Sequence, residues 1–410
     1  MRTRIRQIAA ACALGACALT SAVPAHAQDR ADLQTTELVS HSVDGGVPNG
    51  PSTNAVISGD RRWSRLVAFE SEASDIVRGD TNGQKDVFVV VRGGRYSNAG
   101  EEWREGSTQL VSRGLGGAPA NGPSWGAAVD GDFDHGQANC VAFLSAASNL
   151  VKGDTNGKVD AFVVRGVGSA PKRVSLPRNR QSNENTTAVD VSGDCSRTAF
   201  VTGDRLYVRG RKTQKLKHTK PAANPAFAEG RTSDVVFDAP EGVFLARQGR
   251  YKPSLVAAGA RNPVFNNIKR QTLSYERSSG GRTQVVYKDL GNSEVLASAL
   301  GGRPGNGNSH NPVIGNSGYY ITFESHADNL GTTSTKRLWD QNDALDVYLY
   351  TDVRKITLAQ SVWEKGVPVR GGGEKPSMSF YANYIVFHAN APITALRGTD
   401  QVWMRYLGPV

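Results

Sequence analysis

One stretch of this chain recurs within it, and that repetition limits what the chain can fold into. Residues 109–165 carry Leu110–Val111–Ser112, Pro123–Ser124, Val141–Ala142–Phe143–Leu144–Ser145, Gly153–Asp154–Thr155–Asn156–Gly157 and Asp160–Ala161–Phe162–Val163–Val164. Upstream the same order reads Leu38–Val39–Ser40, Pro51–Ser52, Leu66–Val67–Ala68–Phe69–Glu70–Ser71, Gly79–Asp80–Thr81–Asn82–Gly83 and Asp86–Val87–Phe88–Val89–Val90. A third copy runs through Asn311–Pro312, Ile321–Thr322–Phe323–Glu324–Ser325, Asp340–Gln341–Asn342–Asp343 and Asp346–Val347–Tyr348–Leu349. A unit of this size cannot bury its own apolar face, so it must stack on its neighbours.

Each strong copy holds four short apolar segments, such as Gln109–Ser112, Ala127–Asp130, Cys140–Ser145 and Ala161–Arg165. Their β-branched and aromatic residues, set between Gly, Asn, Asp and Pro clusters, predict strands. Fainter copies run through Arg173–Arg209, Pro225–Ala246, Leu255–Lys288 and Ile356–Tyr406. The expected fold is all-β: a β-propeller of about seven four-stranded antiparallel blades, with six or eight also open. A closed ring requires the first and last blades to share strands, and the sequence leaves open which strand does so. No linker divides the chain, so residues 28–410 are expected to form one domain.

Residues 1–27 are expected to be an export signal. Arg2, Arg4 and Arg6 precede an apolar run from Ile8 to Val23, and Ala25–His26–Ala27 is a small-x-small cleavage site. The run is too short and alanine-rich for a membrane span, so the mature chain has no expected transmembrane segment. A periplasmic or extracellular location follows. The alternative is a lipoprotein anchored at Cys17, because Leu14–Gly15–Ala16–Cys17 resembles an acylation box. Losing three arginines takes the net charge from +10 to +7, a balance suited to anionic polymers or simply to solubility. Only Cys140 and Cys195 remain after cleavage. In an oxidising compartment they are expected to pair, since the repeat places them at one rim of adjacent units.

The order Asn–Pro/Ser, apolar strand, Gly–Asp, Val–Ala–Phe–x–Ser, Asp–Val–Phe–Val resembles the TolB-type, WD-like β-propeller repeat. Ser58–Gly59–Asp60 and Ser192–Gly193–Asp194 stand where that family has a proline–aspartate–glycine turn. The resemblance implies a periplasmic or extracellular propeller that serves as a binding scaffold.

Two loop types recur. In the first, Asp80, Asn82 and Asp86, then Asp154, Asn156 and Asp160, then Asp340, Asn342 and Asp346, repeat the oxygen ligands of the front half of a calcium loop. The same residues also make a self-capping Asx turn without any ion. Both readings stand at this stage, and the third aspartate favours calcium. The second type comprises Gly45–Ser52, Gly116–Ser124 and Gly301–Ser309. Strand alternation puts both types on one face, where binding is expected.

The basic run Arg209, Arg211, Lys212, Lys215, Lys217 and Lys220 has no aromatic residue to stack bases, which argues against nucleic acid. It reads best as a solvated hairpin. His326 and His388 read as equivalent positions in adjacent units, and His310 falls on the loop-rich face. No His-Glu-x-x-His signature is present, and no Gly-x-Ser-x-Gly nucleophile elbow is read: Gly122–Pro123–Ser124–Trp125–Gly126 has the spacing but lies within the all-β repeat, without the strand-to-helix turn that an elbow needs. The expected function is therefore non-catalytic: a monomeric scaffold, not an enzyme, recognising a protein or an anionic cell-envelope polymer. The alternative is a propeller hydrolase or lyase acting on a polysaccharide at the central channel. Carboxylates and arginines converging there would mark it.

Overall fold

The computed structural model describes residues 35–407, except 61–62, 94–104, 132–137, 177–179, 218–220, 231, 269, 316–317, 331–341, 354–355, 362–368, 370 and 391–398. The signal segment, Cys17, Lys220 and Asp340 lie outside the described residues. Strand β1 (Thr36–Leu38) comes first, followed by blade one: β2 (Ser52–Ile57), β3 (Leu66–Ser71), β4 (Asp86–Arg92) and β5 (Glu105–Leu110). Blade two is β6 (Ser124–Val129), β7 (Cys140–Ser145), β8 (Asp160–Arg165) and β9 (Lys172–Arg173). Blade three is β10 (Thr186–Val191), β11 (Thr198–Thr202), β12 (Arg205–Arg209) and β13 (Thr213–Lys215). Blade four is β14 (Ala223–Phe227), β15 (Val235–Ala239), β16 (Gly242–Ala246) and β17 (Pro253–Ala258).

Blade five is β18 (Arg261–Asn266), β19 (Thr272–Ser279), β20 (Arg282–Asp289) and β21 (Val295–Leu296). A two-stranded hairpin, β22 (Ala299–Leu300) and β23 (Arg303–Pro304), leads to blade six: β24 (Ser309–Gly315), β25 (Tyr320–Ser325), β26 (Asp346–Thr351) and β27 (Ile356–Ala359). Blade seven is β28 (Glu374–Met378), β29 (Tyr384–Ala389) and β30 (Gln401–Tyr406), and β1 is its outermost strand. The sheets are antiparallel throughout, and successive innermost strands touch around the ring, β28 returning to β2. The seven expected units are thus seven blades. Their phase differs from the sequence copies by one strand. The first apolar segment of each copy is the outer strand of the preceding blade, and the N-terminal strand closes the ring.

The phase has a packing cause. Each blade is covered on both faces, so its middle strands are mostly apolar and do not alternate, as in β3 and β7, where all six residues are buried, the polar Glu70, Ser71 and Ser145 at their ends included. Seven apolar clusters result, one between each pair of neighbouring blades. The repeated phenylalanines are cross-strand partners at their centres: Phe69 stacks on Phe88 and Phe143 on Phe162, with ring centroids 5.8 and 5.7 Å apart.

The outer strand is held by a second repeated device. The hydroxyls of Ser112, Ser175 and Ser361 donate to Asp86, Asp160 and Asp346, and accept the N–H of Val87, Ala161 and Val347. In blades five and seven Ser298–Gln284 and Ser40–Gln401 do the same. The third aspartate of each Asp–x–Asn loop therefore has a structural use that a glutamine also fills, so its presence alone does not argue for an ion.

Cys140, at the head of β7, is bonded to Cys195, in the turn between β10 and β11, with Cα atoms 6.1 Å apart and a sequence separation of 55. The bond staples blade two to blade three. Replacing both cysteines by serine is expected to cost about 4 kcal/mol on the loop-entropy relation for a loop of this length. A fall in the urea midpoint would report it, and an unchanged midpoint would refute it.

Candidate active site at the channel mouth

Every innermost strand slips its register by a bulge near its first residues. Six of the bulges carry a residue of positive φ: Asn54, Gly126, Asn224, Asn262, Asn311 and Lys375. Asparagine tolerates this conformation better than most side chains, which explains the recurrent Asn–Pro. The bulge turns a backbone N–H toward the preceding blade, where a second-strand side chain receives it. Gly126 N–H donates to Glu70 Oε1 at 2.8 Å, Asn311 N–H to Glu276 Oε1 at 2.9 Å, and Lys375 N–H to Glu324. Asn54 N–H reaches His388 Nδ1 at 3.5 Å. A polar belt therefore binds blade to blade just below the loop-rich face.

The residue before each bulge is free of that duty. Arg261, His310 and Glu374 occupy it on the adjacent strands β18, β24 and β28, pairing in register with Glu276, Glu324 and His388. Thr53, Trp125 and Ala223 occupy it elsewhere. His310 Nδ1 lies 3.2 Å from Glu276 Oε2, and His388 Nε2 lies 3.8 Å from Glu374 Oε2. Glu324 and His388 are buried, whereas the Glu374 side chain is 50% exposed. Burial lifts the Glu374 carboxyl above its ordinary value, and Glu324 and Asp400 lift it further. Burial holds His388 below the usual histidine value. A neutral His388 that accepts Asn54 N–H at Nδ1 carries its proton on Nε2, toward Glu374.

His310 and His388 were singled out in the sequence, but Arg261, Glu374 and the grouping were missed because these are single, unlike positions on separate repeats. The residue before each Asn–Pro or Lys–Pro step is the signal that finds them. His388 is in register with Glu374 as Glu324 is with His310, so its counterpart is Glu324 and not His326.

The two recurrent loop types do share one face, and they are bonded together. Asn49, Asn121 and Asn306 receive and donate hydrogen bonds with Ser74–Asp75, Ser148–Asn149 and Asp328–Asn329. In the Asp–x–Asn loops, Asn82 and Asn156 accept the N–H two residues on, from Gln84 and Lys158, and donate to Asp86 and Asp160. Asn342 accepts from Ala344 in the same way. The asparagine oxygens are thus engaged as turn caps. Asp80 and Asp154 sit at the loop starts, and both carboxyls are raised chiefly by burial.

The Ser–Gly–Asp turns lie at the opposite end of the strands, where Asp60 and Asp194 accept Ser58 and Ser192. The basic run does form a hairpin, β12–β13. Its Arg211 and Lys212 line a cavity of about 500 Å³ with Arg197, Gln214 and Tyr251, away from the channel mouth. At that end Asp130 lies beside Cys140 and Cys195, whose sulfurs are committed to the disulfide.

Asp130 is 7% exposed, and burial pushes it up to about 7 although Asn139 and Cys140 N–H groups reach it at 2.8 Å. Asp60 adds repulsion. Folding raises this proton affinity, so the group's stabilisation is full below about pH 4 and lost as pH rises toward about 7. Asp130→Asn is expected to flatten the decline in melting temperature across that window. Parallel curves for the variant and the parent would contradict this.

The chain matches no protein-family model and no curated protein. Among solved structures it resembles an oligogalacturonate lyase in complex with manganese, at 10% identity and TM-score 0.51, over 91% of this chain and 96% of the lyase. It also resembles the β-propeller domain of the Trilobed protease from Pyrococcus furiosus, at 9% identity and TM-score 0.50, over 87% of this chain and 95% of that one. A puromycin-hydrolyzing peptidase of Mycobacterium tuberculosis gives 11% identity and TM-score 0.52 over 88% of this chain, which spans 53% of that peptidase. A TolB-like protein of Agrobacterium tumefaciens is a further neighbour, at 12% identity and TM-score 0.38 over 74% of this chain. Likeness at these identities defines the class: a seven-bladed β-propeller. The expectation of a non-catalytic scaffold, and of a chain that is not an enzyme, is corrected here. The neighbours are peptidases, one by its propeller domain, and a lyase, and Arg261, His310 and Glu374 share one register position on adjacent innermost strands. No helix among the described residues is long and apolar enough to cross a membrane.

Proposed function

We propose that this propeller is a polysaccharide-cleaving enzyme acting at the channel mouth, specifically a lyase for uronate-containing chains. The observation that carries the reading is the placement of Arg261, His310 and Glu374 at one register position on three adjacent inner strands. The lyase likeness supports it, because it spans nearly the whole of both chains, whereas the chain spans about half of the Mycobacterium tuberculosis peptidase.

The chemistry fits the residues. Elimination from a uronate removes the proton beside the carboxylate, forms a carbon–carbon double bond and breaks the bond to the glycosidic oxygen, which takes up a proton. Glu374 is accessible and more basic than an ordinary carboxylate, as the proton acceptor requires. Arg261 and Lys375 supply positive charge for the substrate carboxylate. His310 can protonate the leaving oxygen, and Trp125, across the mouth, offers a face for a sugar ring. The same reading keeps export of the chain and membership of the TolB-type repeat class.

The test is a panel of uronate polymers and neutral glycans, with and without added manganese. Elimination gives an unsaturated, ultraviolet-absorbing product, and hydrolysis gives reducing ends without that absorbance. Lyase products from a uronate polymer would support the proposal. Hydrolysis would correct the reaction class, and no cleavage of any polymer would overturn the reading.

A further inference from the structure

The loops of blades one and two share a backbone and a cap, and differ in what neutralises their carboxylates; in blade two Gln181 also bonds the Gly153 carbonyl and Thr155. Gly79 and Gly83 match Gly153 and Gly157 in positive φ (87° and 62° against 76° and 60°). Both loops carry the asparagine cap, and both end on an aspartate held by an outer-strand serine. In blade two a cation lies between the carboxylates: Arg173 Nη1 is 2.9 Å from Asp154 Oδ1 and 3.2 Å from Asp160 Oδ2, and Nη2 reaches the Gly153 carbonyl at 3.4 Å. Arg173 pairs in register with Phe162.

In blade one the residue in register with the equivalent Phe88 is Leu110. The charge is missing, but the cage is not. Asp80 is 5% exposed, and neither carboxylate oxygen has a hydrogen-bond partner. The Asn82 amide points at it from outside hydrogen-bond geometry. Asp86 is 0% exposed, and its bonds come from the neutral Ser112 and Asn82. Lys85, the nearby cation, is turned to Glu70 and Glu72. Two covered carboxylates without a counter-charge are strongly unfavourable.

We propose that a calcium ion fills the place of the arginine in blade one, held by the Asp80 and Asp86 carboxylates and the Gly79 carbonyl, with water completing its shell. All the donors are oxygen, as a hard cation requires, and a site so sparsely charged belongs with weak extracellular calcium sites of roughly 10⁻⁴–10⁻³ M. The site is separate from the channel mouth and does not depend on the proposed reaction. Blade six has Ala359 at the same register, opposite Tyr348, so it also lacks the arginine.

The test is titration of the mature chain with calcium chloride, followed by heat and by equilibrium dialysis. Asp80→Asn and, independently, Leu110→Arg, which supplies the internal cation, should each lose one equivalent of bound calcium relative to the parent. Arg173→Leu should gain one. Far-ultraviolet circular dichroism checks folding, and either loss variant suffices if the other fails to fold. A parent chain that binds no calcium at millimolar concentrations overturns the proposal. So does a folded Leu110→Arg or Asp80→Asn protein that binds as many equivalents as the parent.

Discussion

Glu374→Gln is expected to lower turnover on the cleaved glycan by about 10²–10⁴-fold, the usual worth of a positioned proton acceptor, with little change in KM. Glutamine keeps the shape and removes the basicity. Burial and the neighbouring Glu324 and Asp400 raise the Glu374 carboxyl, so the rate should climb with pH through an ionisation above the ordinary carboxylate value. His388 touches Glu374 from below, its Nε2 3.8 Å from Oε2, and is itself buried. It is a positioning residue, so His388→Asn should move that ionisation as well as the rate. Arg261→Ala, by contrast, should act chiefly on KM, because it removes a charge meant for the substrate carboxylate. A Glu374→Gln enzyme with parental turnover would remove the site from consideration, whatever the substrate.

The ring was more legible in the sequence than the site, for a physical reason. Blade interfaces repeat, so Phe69, Phe143 and Phe323 recur with the same neighbours and reveal the unit by repetition. Cys140 and Cys195 could be paired because the repeat fixed their relative places. The strand phase could not be read, since an outer strand such as Glu105–Leu110 is half-exposed and joined in sequence to the next unit as firmly as to its own. The site broke the repeat: Arg261, His310 and Glu374 share a position but no chemistry. The Asp–x–Asn loops show the opposite case, a repeat that does not tell its copies apart. Their repetition signals a shared turn and serine lock, while the residue that separates Asp80 from Asp154 lies on another strand, as Leu110 or Arg173.

Removing residues through Ser40, so that the chain starts at His41, is expected to destabilise the ring by about 5 kcal/mol. Val39 is 3% exposed, and its loss returns about 1.5–3 kcal/mol of burial. The Ser40 hydroxyl donates to Gln401 Oε1 at 2.8 Å and accepts Val402 N–H at 3.1 Å, and each buried group left unpaired costs about 1–3 kcal/mol. The three residue pairs of β1 with β30 are lost as well. What fails is closure and not a single contact. Without β1, blade seven keeps three strands, and the cluster it shares with blade one loses Val39. The Pyrococcus furiosus propeller is described as having an open velcro topology, so a ring of this shape can exist without such a seam. This chain has built its first–last interface around β1. A urea midpoint equal to that of a chain starting at Gln28 would mean that contacts among the innermost strands alone hold the ring shut.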